Sequence, residues 1–333
     1  MFAAPPTSHA GFTIGTRLER SVTPESTYLK RRDLIGSVIA LSTLGCGKTV
    51  FSSQEEEKSS REDSLNFKKN SSFRTKDKLT PFKDVTGYNN FYEFGTRKGD
   101  PSRIAPHVLK TKPWSVVIDG LVEKEQRVSF EQLLALSGLE ERIYKLRCVE
   151  GWSMVIPWIG YSLSELIKFA KPLGSAKYIA FRTLADREMM PGIGGFRPVL
   201  NWPYTEGLRM DEALNPLTFL TFGLYGKMLP EQNGAPIRLV IPWKYGFKGA
   251  KSIVRITFLE SQPTTSWVEA SPTEYGFYSN VNPFVNHPRW SQSMERRIGS
   301  DSLFTKKIPT RMFNGYGELV EQLYAGMNLE KFF

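Results

Sequence analysis

The sequence predicts an α+β fold that is rich in β-sheet and forms a single domain over residues 79–333. Short β-prone segments alternate with a few short helical segments in this region, and long loops that contain Pro and Gly separate them. No G-x-G-x-x-G sequence follows a predicted strand, which disfavours a dinucleotide-binding Rossmann unit. The sequence shows no internal repeat.

The predicted strands are bounded by turn-forming residues and are enriched in β-branched and aromatic side chains. The predicted strand over residues 143–149 contains Cys148 next to its last residue, so this cysteine is expected at a strand end. The strands cover residues 114–120, 143–149, 177–184, 236–241 and 252–259.

Three helices are predicted from capping signals and apolar spacing. Ser129 and Gln132 form a capping box that begins a short helix through Leu136. The same signal at residues 162–165 begins a second helix through Ala170. Residues 318–327 are predicted to form a final helix.

The first 46 residues have the features of an export signal. Lys30-Arg31-Arg32 is a twin-arginine pattern, and the apolar run 34–46 that follows is too short to span a bilayer. Twin-arginine signals direct folded proteins across the membrane, so the expected location is the periplasm. No A-x-A cleavage site is present, and Leu44-Gly45-Cys46 resembles the end of a lipoprotein box. Cleavage, lipidation and retention as an anchor therefore all stay open.

A polar, charged stretch over residues 47–78 lacks apolar periodicity and is predicted to be a linker. The whole chain of 333 residues has a formal net charge of +10 and 13% aromatic residues. The aromatic content indicates an ordered protein. The charge favours anionic ligands or an anionic membrane surface, and the lack of a Lys/Arg block argues against nucleic acid as a partner.

Cys148 is the one cysteine outside the predicted signal, which contains Cys46. A single thiol cannot form an internal disulfide, and in an oxidising compartment it is either buried or bound. Two interpretations are open: a small buried core residue, or a thiolate ligand of a thiophilic metal. The sequence has only three histidines and no C-x-x-C or H-E-x-x-H motif, so zinc, haem and iron–sulfur sites are not expected. The G-x-S-x-G motif typical of many serine hydrolases is also absent.

Three further segments combine polar side chains with glycines in unusual density. Residues 87–95 place amides, aromatics and Glu93 between glycines, and residues 232–238 place an amide and Arg238 before a strand. Residues 242–252 hold three lysines and two glycines, a composition that can cradle a phosphate. Each segment taken alone is also compatible with an ordinary turn that packs aromatic rings.

Taken in order, these segments resemble one family from about residue 79 to residue 333. It is the family of catalytic subunits of periplasmic protein-methionine-sulfoxide reductases, which are molybdopterin enzymes of the sulfite-oxidase fold. The segments that carry the resemblance are Gly87-Tyr-Asn-Asn-Phe-Tyr-Glu-Phe-Gly95, Arg147-Cys-Val-Glu-x-Trp-Ser-Met-Val-x-Pro-Trp158, Gln232-Asn-Gly-Ala-Pro236, Trp243-Lys-Tyr-Gly-Phe-Lys-Gly249, Tyr275-Gly-Phe-Tyr-Ser-Asn-Val-Asn-Pro283 and His287-Pro-Arg-Trp-Ser291. The sequence departs from the family at the irregular signal and in a shorter loop after Met190.

The resemblance implies a role for each matching residue. Cys148 would be the catalytic residue and the thiolate ligand of molybdenum, with one molybdopterin-bound molybdenum per chain. The positive charge near the cofactor phosphate is expected from Lys248, Lys251 and Arg238. The full implied cofactor-binding set is Asn89, Tyr92, Glu93, Thr183, Asn233, Arg238, Gly249, Ala250 and Lys251.

The activity that the resemblance implies is reduction of methionine sulfoxide in oxidised exported proteins. Electrons would come from a haem-containing membrane subunit fed by quinol. One alternative is sulfite oxidation, or reduction of small S- or N-oxides, on the same fold. Another is a non-catalytic, membrane-tethered protein that binds pterin or a protein partner.

The export signal generates the first prediction. Changing both Arg31 and Arg32 to Lys keeps the charge but removes the pattern that the export receptor reads, so the protein is expected to stay in the cytoplasm. Immunoblotting of periplasmic and cytoplasmic fractions measures this. The matched control changes Arg17 and Arg20 to Lys and should leave export intact. Unchanged periplasmic yield in the Arg31/Arg32 variant would mean that another route carries the protein.

Overall fold

Two β-sheets form the framework of the part of the chain that the structure describes, in agreement with the predicted α+β class. A computed structural model describes residues 64–194, 198–299 and 307–333, and residues 59–333 form one unit. The predicted signal and the start of the predicted linker lie outside the described residues. The strands are β1 Lys68–Lys69, β2 Ser115–Gly120, β3 Gln126–Ser129, β4 Glu140–Cys148, β5 Trp152–Ser162, β6 Tyr178–Thr183, β7 Thr205–Arg209, β8 Phe219–Leu224, β9 Lys227–Met228, β10 Arg238–Val240, β11 Ile253–Leu259, β12 Met294–Arg297 and β13 Ile308–Pro309.

A five-stranded sheet has the order β3-β2-β11-β6-β7. β2 and β11 are parallel, and the other neighbours are antiparallel. The second sheet has eight strands, with β4, β5 and β8 at its centre. β5 pairs with β4 on one edge and with β8 on the other, antiparallel in both cases. β12 also adds to β5 in parallel through Arg296 and Arg297.

The helices are short and connect or cover the sheets. Within the described ranges none is long and apolar enough to cross a membrane. The α-helices are α1 Phe82–Gly87, α2 Asp100–Val108, α3 Phe130–Ala135, α4 Leu163–Ala170, α5 Met210–Leu214, α6 Ser266–Ala270 and α7 Gly317–Val320. Single 3-10 turns occur at Tyr92–Phe94, Pro191–Gly194, Glu231–Asn233, Gly246–Lys248, Met312–Gly315 and Glu321–Tyr324.

All five predicted strands are present, with ends that shift by at most three residues. The capping box of α3 is confirmed, because the Ser129 hydroxyl accepts from the Gln132 N–H and the Gln132 side chain accepts from the Ser129 N–H. α4 is also confirmed, but its cap is not. The Ser162 side chain makes no capping hydrogen bond and instead accepts from the Ser164 hydroxyl.

The prediction of one final helix over residues 318–327 is wrong. α7 ends at Val320, and a 3-10 turn over Glu321–Tyr324 follows it. Tyr324 is buried, donates from its hydroxyl to Glu212 at 2.6 Å and accepts from the Trp243 indole N–H at 2.9 Å. These tertiary contacts, which helical spacing does not reveal, fix the conformation of the segment.

The described part of the predicted linker contacts the domain. Lys68 and Lys69 pair in parallel with Glu140 and Glu141 of β4. The Phe73 carbonyl accepts from the Ile143 N–H at 2.9 Å, and its ring meets the Tyr144 ring edge-on. The boundary at residue 79 stays a prediction.

The hairpin of β4 and β5 places Cys148. The two strands pair over nine positions, from Glu140 opposite Gly160 to Cys148 opposite Trp152. A tight turn joins them, in which Gly151 adopts φ +79° and its N–H donates to the Cys148 carbonyl at 3.0 Å. Cys148 therefore lies at the end of a strand that the centre of the sheet holds rigidly.

Close contact between β5 and β8 generates a prediction about stability. A Cβ added at Gly160 would lie 2.0 Å from the Leu220 carbonyl oxygen of β8, a backbone atom that cannot move without separating the strands. Gly160→Ala is expected to lower the free energy of unfolding by about 1–3 kcal/mol or more.

Urea unfolding followed by circular dichroism measures the loss. Gly138→Ala is the matched control, because nothing lies within 4 Å of the added Cβ there. Equal unfolding midpoints for the two variants would contradict the close contact.

Candidate functional site

A cavity of about 440 Å³ opens beside the turn between β4 and β5. Residues from distant parts of the chain line it, and most of the predicted site residues are among them. These are Asn89, Tyr92, Glu93, Cys148, Asn233, Arg238 and Lys251. The predicted residues Thr183, Gly249 and Ala250 do not line it.

Cys148 lies in the wall of the cavity and is 6% exposed. Its Sγ accepts two weak hydrogen bonds at 3.5 Å, one from the Asn90 amide and one from the Glu150 backbone N–H. Burial raises the pKa of the Cys148 thiol to about 12, and the nearby Glu150 carboxylate adds to the rise. A cation bound at the sulfur reverses this balance, because it stabilises the thiolate.

Glu150 is held firmly beside the thiol. Its carboxylate accepts from the Lys98 ammonium at 2.9 Å, from the Trp152 indole N–H at 2.9 Å and from the Asn90 amide at 3.1 Å. Burial alone would raise the pKa of Glu150, but these hydrogen bonds outweigh it and the pKa is lowered. The carboxylate is therefore ionised and paired with Lys98.

Three amides that line the cavity have side-chain oxygens without a donor in the described part of the chain: Asn89, Gln232 and Asn233. The Asn89 and Asn233 amide N–H groups both donate to the Val85 carbonyl, at 2.9 and 3.0 Å. A buried acceptor without a donor is unfavourable by about 1–3 kcal/mol. A ligand rich in N–H donors, as a pterin ring is, fits these amides.

Arg238 forms the cationic end of the cavity. It is 5% exposed, and among the described residues no carboxylate pairs with it. Its guanidinium donates to the Asn233 carbonyl at 2.8 Å and lies over the Trp158 ring at 4.9 Å. Burial lowers the pKa of Arg238 to about 10. A buried cation without a counter-ion is costly, so an anionic group such as a phosphate fits here.

Lys251 adds a second cation on the same side. Burial lowers the pKa of Lys251 to about 8, and repulsion from Arg238 contributes to the decrease. Its ammonium lies 5.0 Å from the centre of the Phe91 ring. A bound anion would favour the charged form of both side chains.

Glu93 and Thr183 meet behind the cavity wall. The Thr183 hydroxyl donates to the Glu93 carboxyl at 3.4 Å. Burial raises the pKa of Glu93, and the charge of Lys251 opposes the rise. Thr183 therefore supports a residue of the cavity rather than lining the cavity itself.

Gly249 and Ala250 lie behind Arg238. A Cβ at Gly249 would lie 2.6 Å from the Leu239 carbonyl oxygen and 3.1 Å from an Arg238 guanidinium nitrogen, so only glycine permits this approach. The N–H groups of both residues donate within their own loop, at 3.2 Å in each case. Their binding to a phosphate stays a prediction.

The expectation that Lys248 supplies positive charge near the cofactor phosphate is wrong. Its ammonium is fully buried and donates to Glu206 at 2.7 Å and to the Gly207 carbonyl at 2.8 Å, and it does not line the cavity. The sequence shows three lysines in one loop but not the carboxylates that meet them in the fold.

Sequence reasoning missed several cavity residues. Glu150 lies inside the segment that contains Cys148, so its position was the available signal. Arg289 lies inside the segment 287–291 that carries the resemblance, but no role was assigned to it. Lys98 pairs with Glu150 without lining the cavity, and no signal in the sequence points to it. The missed aromatic residues at the mouth are Trp267, Tyr275 and Trp290.

The residues present fit a molybdopterin cofactor. One thiol in the cavity can bind a thiophilic metal, the three amides can accept from a pterin ring, and Arg238 with Lys251 can hold a phosphate. In the described ranges no group of three or more His, Cys, Asp or Glu side chains is placed to hold a metal. The remaining metal ligands would then come from the cofactor.

Comparisons with known proteins agree with this fit. Residues 103–267 match the family model described as an oxidoreductase molybdopterin binding domain. Similar proteins are named protein-methionine-sulfoxide reductase catalytic subunit MsrP. The one from Ralstonia nicotianae is 54% identical over 318 residues, covering 94% of this chain and 95% of that protein. The one from Burkholderia mallei is 53% identical over 324 residues, covering 96% of each.

A third relative with the same name, from Xanthomonas campestris pv. campestris, is 53% identical over 325 residues, covering 94% of this chain and 96% of that protein. Among solved structures, the sulfane dehydrogenase SoxCD from Paracoccus pantotrophus is similar with a TM-score of 0.44 at 17% identity. That match covers 84% of this chain and 70% of that chain.

The unpaired cation of the cavity generates a prediction. Arg238→Ala is expected to lower the amount of pterin that co-purifies with the protein by about tenfold or more, because a buried charge-assisted contact to phosphate is lost. Fold stability should change less, since Arg238 pairs with no carboxylate in the described structure.

Pterin released by denaturation and quantified by fluorescence measures this effect. The matched control is Arg255→Ala, which removes an arginine that pairs with Asp119 away from the cavity. A full pterin complement in the Arg238 variant would contradict the assignment.

Proposed function

This chain belongs to the family of protein-methionine-sulfoxide reductase catalytic subunits, and we propose that it reduces methionine sulfoxide in oxidised proteins with one molybdenum bound at Cys148. The observation that carries the proposal is that one cavity brings together three features of the described residues. These are a thiol, three side-chain amide oxygens that accept no hydrogen bond, and a buried arginine that pairs with no carboxylate. The names of the relatives and the match to the molybdopterin domain support it.

The reaction has a defined balance of atoms and electrons. A sulfoxide takes up two electrons and two protons, its S–O bond breaks, and the products are a thioether and water. When bound, a molybdenum cofactor would supply the two-electron redox change of this reaction. This reverses the first step of methionine oxidation, so the physiological role that we propose is protein repair.

The residues of the chain position the reacting groups. The Asn90 amide and the Glu150 N–H fix the orientation of the Cys148 side chain. The pairing of Glu150 with Lys98 at 2.8 Å leaves this side of the cavity without a net charge. Cys148 is only 6% exposed, so the chain leaves little of the sulfur open to solvent.

The charge of the substrate distinguishes reduction of methionine sulfoxide, which is neutral, from oxidation of sulfite, which is an anion. A sulfite site needs arginines that converge on the metal. In the described wall of the cavity, Arg238 is buried against the Asn233 carbonyl, and Arg289 is paired with Glu274 at 2.8 Å. This arrangement favours a neutral substrate over an anion, and it equally permits other small S- or N-oxides.

The electron donor and the location are part of the proposal. The relatives are named catalytic subunits, which supports a separate subunit as donor. We take that subunit to be a haem-containing membrane protein, and the twin-arginine pattern supports delivery of the folded, loaded chain to the periplasm.

Turnover by purified protein tests the proposal. Elemental analysis is expected to give about one molybdenum per chain, and a reduced dye should drive loss of methionine sulfoxide from an oxidised, unfolded protein, followed by mass spectrometry. Cys148→Ser is expected to lower turnover by at least about 100-fold while the domain stays folded, because a hydroxyl is a poor substitute for a thiolate.

Cys46→Ser is the matched control and should leave turnover unchanged. Turnover should depend only modestly on ionic strength, since the substrate is neutral. Sulfite oxidation at a comparable rate without loss of sulfoxide would favour the alternative enzyme. A folded, exported protein without molybdenum would favour the non-catalytic alternative.

A further inference from the structure

Aromatic rings surround the mouth of the cavity and touch one another. Tyr92 meets Trp267 edge-on with ring centres 5.4 Å apart, and Trp267 meets Tyr275 at 4.8 Å. Tyr275 contacts His287 at 5.6 Å, and His287 stacks on Trp290 at 3.7 Å with nearly parallel planes. We call the four rings that line the cavity the aromatic rim: Tyr92, Trp267, Tyr275 and Trp290.

The aromatic rim is fixed relative to the thiol. The Trp290 indole N–H donates to the Val149 carbonyl at 2.7 Å, next to Cys148 in the chain. The Gln292 amide donates to the same carbonyl at 2.7 Å. The turn after Cys148 therefore fixes the position of Trp290, while ring contacts link Tyr92, Trp267 and Tyr275 to one another in the same cavity wall.

The charged groups at the mouth are paired. Arg289 lies over the Trp290 ring at 5.1 Å and pairs with Glu274, and Lys98 pairs with Glu150. The described mouth thus offers apolar ring faces and no unpaired charge. A neutral side chain with apolar carbons and a polarizable sulfur matches this surface.

We propose that the aromatic rim binds the side chain of methionine sulfoxide, and that Trp267 determines specificity for that side chain over smaller sulfoxides. The proposal rests on the proposed function. Ring faces can contact the S-methyl group and the two side-chain methylenes of methionine sulfoxide. Dimethyl sulfoxide has no such methylenes, so it would make fewer contacts with the rings. Burial of Tyr92, with the carboxylate of Glu150 nearby, raises the pKa of its hydroxyl, which keeps it a hydrogen-bond donor for the sulfoxide oxygen.

Steady-state kinetics with the molybdenum-loaded protein test the proposal. Trp267→Ala is expected to raise KM for an oxidised methionine peptide roughly tenfold and to change kcat less than about twofold, because apolar contacts to the chain are lost in substrate and transition state alike. For dimethyl sulfoxide, kcat/KM should fall only about twofold. Trp267→Phe, which keeps a ring, should restore most of the affinity.

The matched control is Phe284→Ala. Phe284 is 78% exposed in the segment just before Trp290 and does not line the cavity, so its removal should change none of these values. Pterin content and thermal unfolding of every variant are measured first. If the alanine variant unfolds, Trp267→Leu takes its place: it fills the space without an aromatic ring and should still raise KM for the peptide, and an unchanged KM would overturn the subsite.

Binding without turnover separates the two proposals. A peptide with methionine sulfone carries the same methyl and methylene groups, and isothermal titration calorimetry gives its dissociation constant. Loss of sulfone binding in the Trp267→Ala variant supports the subsite, whether or not the wild-type protein reduces sulfoxides. Failure of the wild type to reduce sulfoxides would overturn only the proposed function. Turnover of methionine sulfoxide by the wild type, with KM and sulfone binding unchanged in Trp267→Ala, would overturn the subsite.

Discussion

A buried arginine next to the cysteine holds the candidate site together. The side chain of Arg147 is fully buried and donates to Glu295 at 2.9 Å, to the Gln292 side chain at 2.9 Å and to the Thr310 hydroxyl at 3.1 Å. It also donates to the Cys148 carbonyl. Removing one partner of such a pair typically costs 3–5 kcal/mol, since the other charge stays buried. The end of β4 and the segment 292–295 are therefore coupled, and Gln292 extends the coupling to the turn after Cys148.

The same principle separates structural cations from those that face the cavity. Lys244 pairs with Glu212 at 2.6 Å and Lys248 pairs with Glu206 at 2.7 Å, all four side chains being essentially buried. Arg238 lies in the same region of the fold and has no described carboxylate partner. The amino-acid composition does not distinguish these cations. Only a buried cation without a carboxylate partner favours the binding of an anion from outside the chain. This is why the three lysines of loop 242–252 could not be told apart from the sequence: Lys248 is neutralised by Glu206, whereas a phosphate site at Arg238 and Lys251 stays a prediction.

Local signals predicted local features. Turn residues and β-branched runs marked five strands, and the Ser129 capping box gave a helix with the expected bonds. β5 and β8 were not predicted, because both are buried on both faces and read as apolar runs without alternation. The aromatic rim joins Tyr92 to Trp290 across nearly 200 positions, and no spacing rule reaches that far. Cys148 and the segments that contain Asn89 and Arg238 stood out in the sequence by themselves, but the choice between a turn or core residue and a cofactor ligand rested on the family resemblance.

Cofactor binding and folding are coupled in this arrangement. Three buried amide oxygens without donors and one buried cation without a counter-ion each disfavour the chain when it is alone, by about 1–3 kcal/mol for each amide. A donor-rich, anionic ligand offsets all of them at once and binds only the folded state, so it stabilises that state in proportion to its affinity. Because the contributing residues lie on segments 89–93, 232–238 and 251, the ligand would also connect parts of the chain that are far apart in the sequence. If the chain is exported folded, as we propose, loading before export is the order that this coupling favours, since the ligand stabilises the folded state.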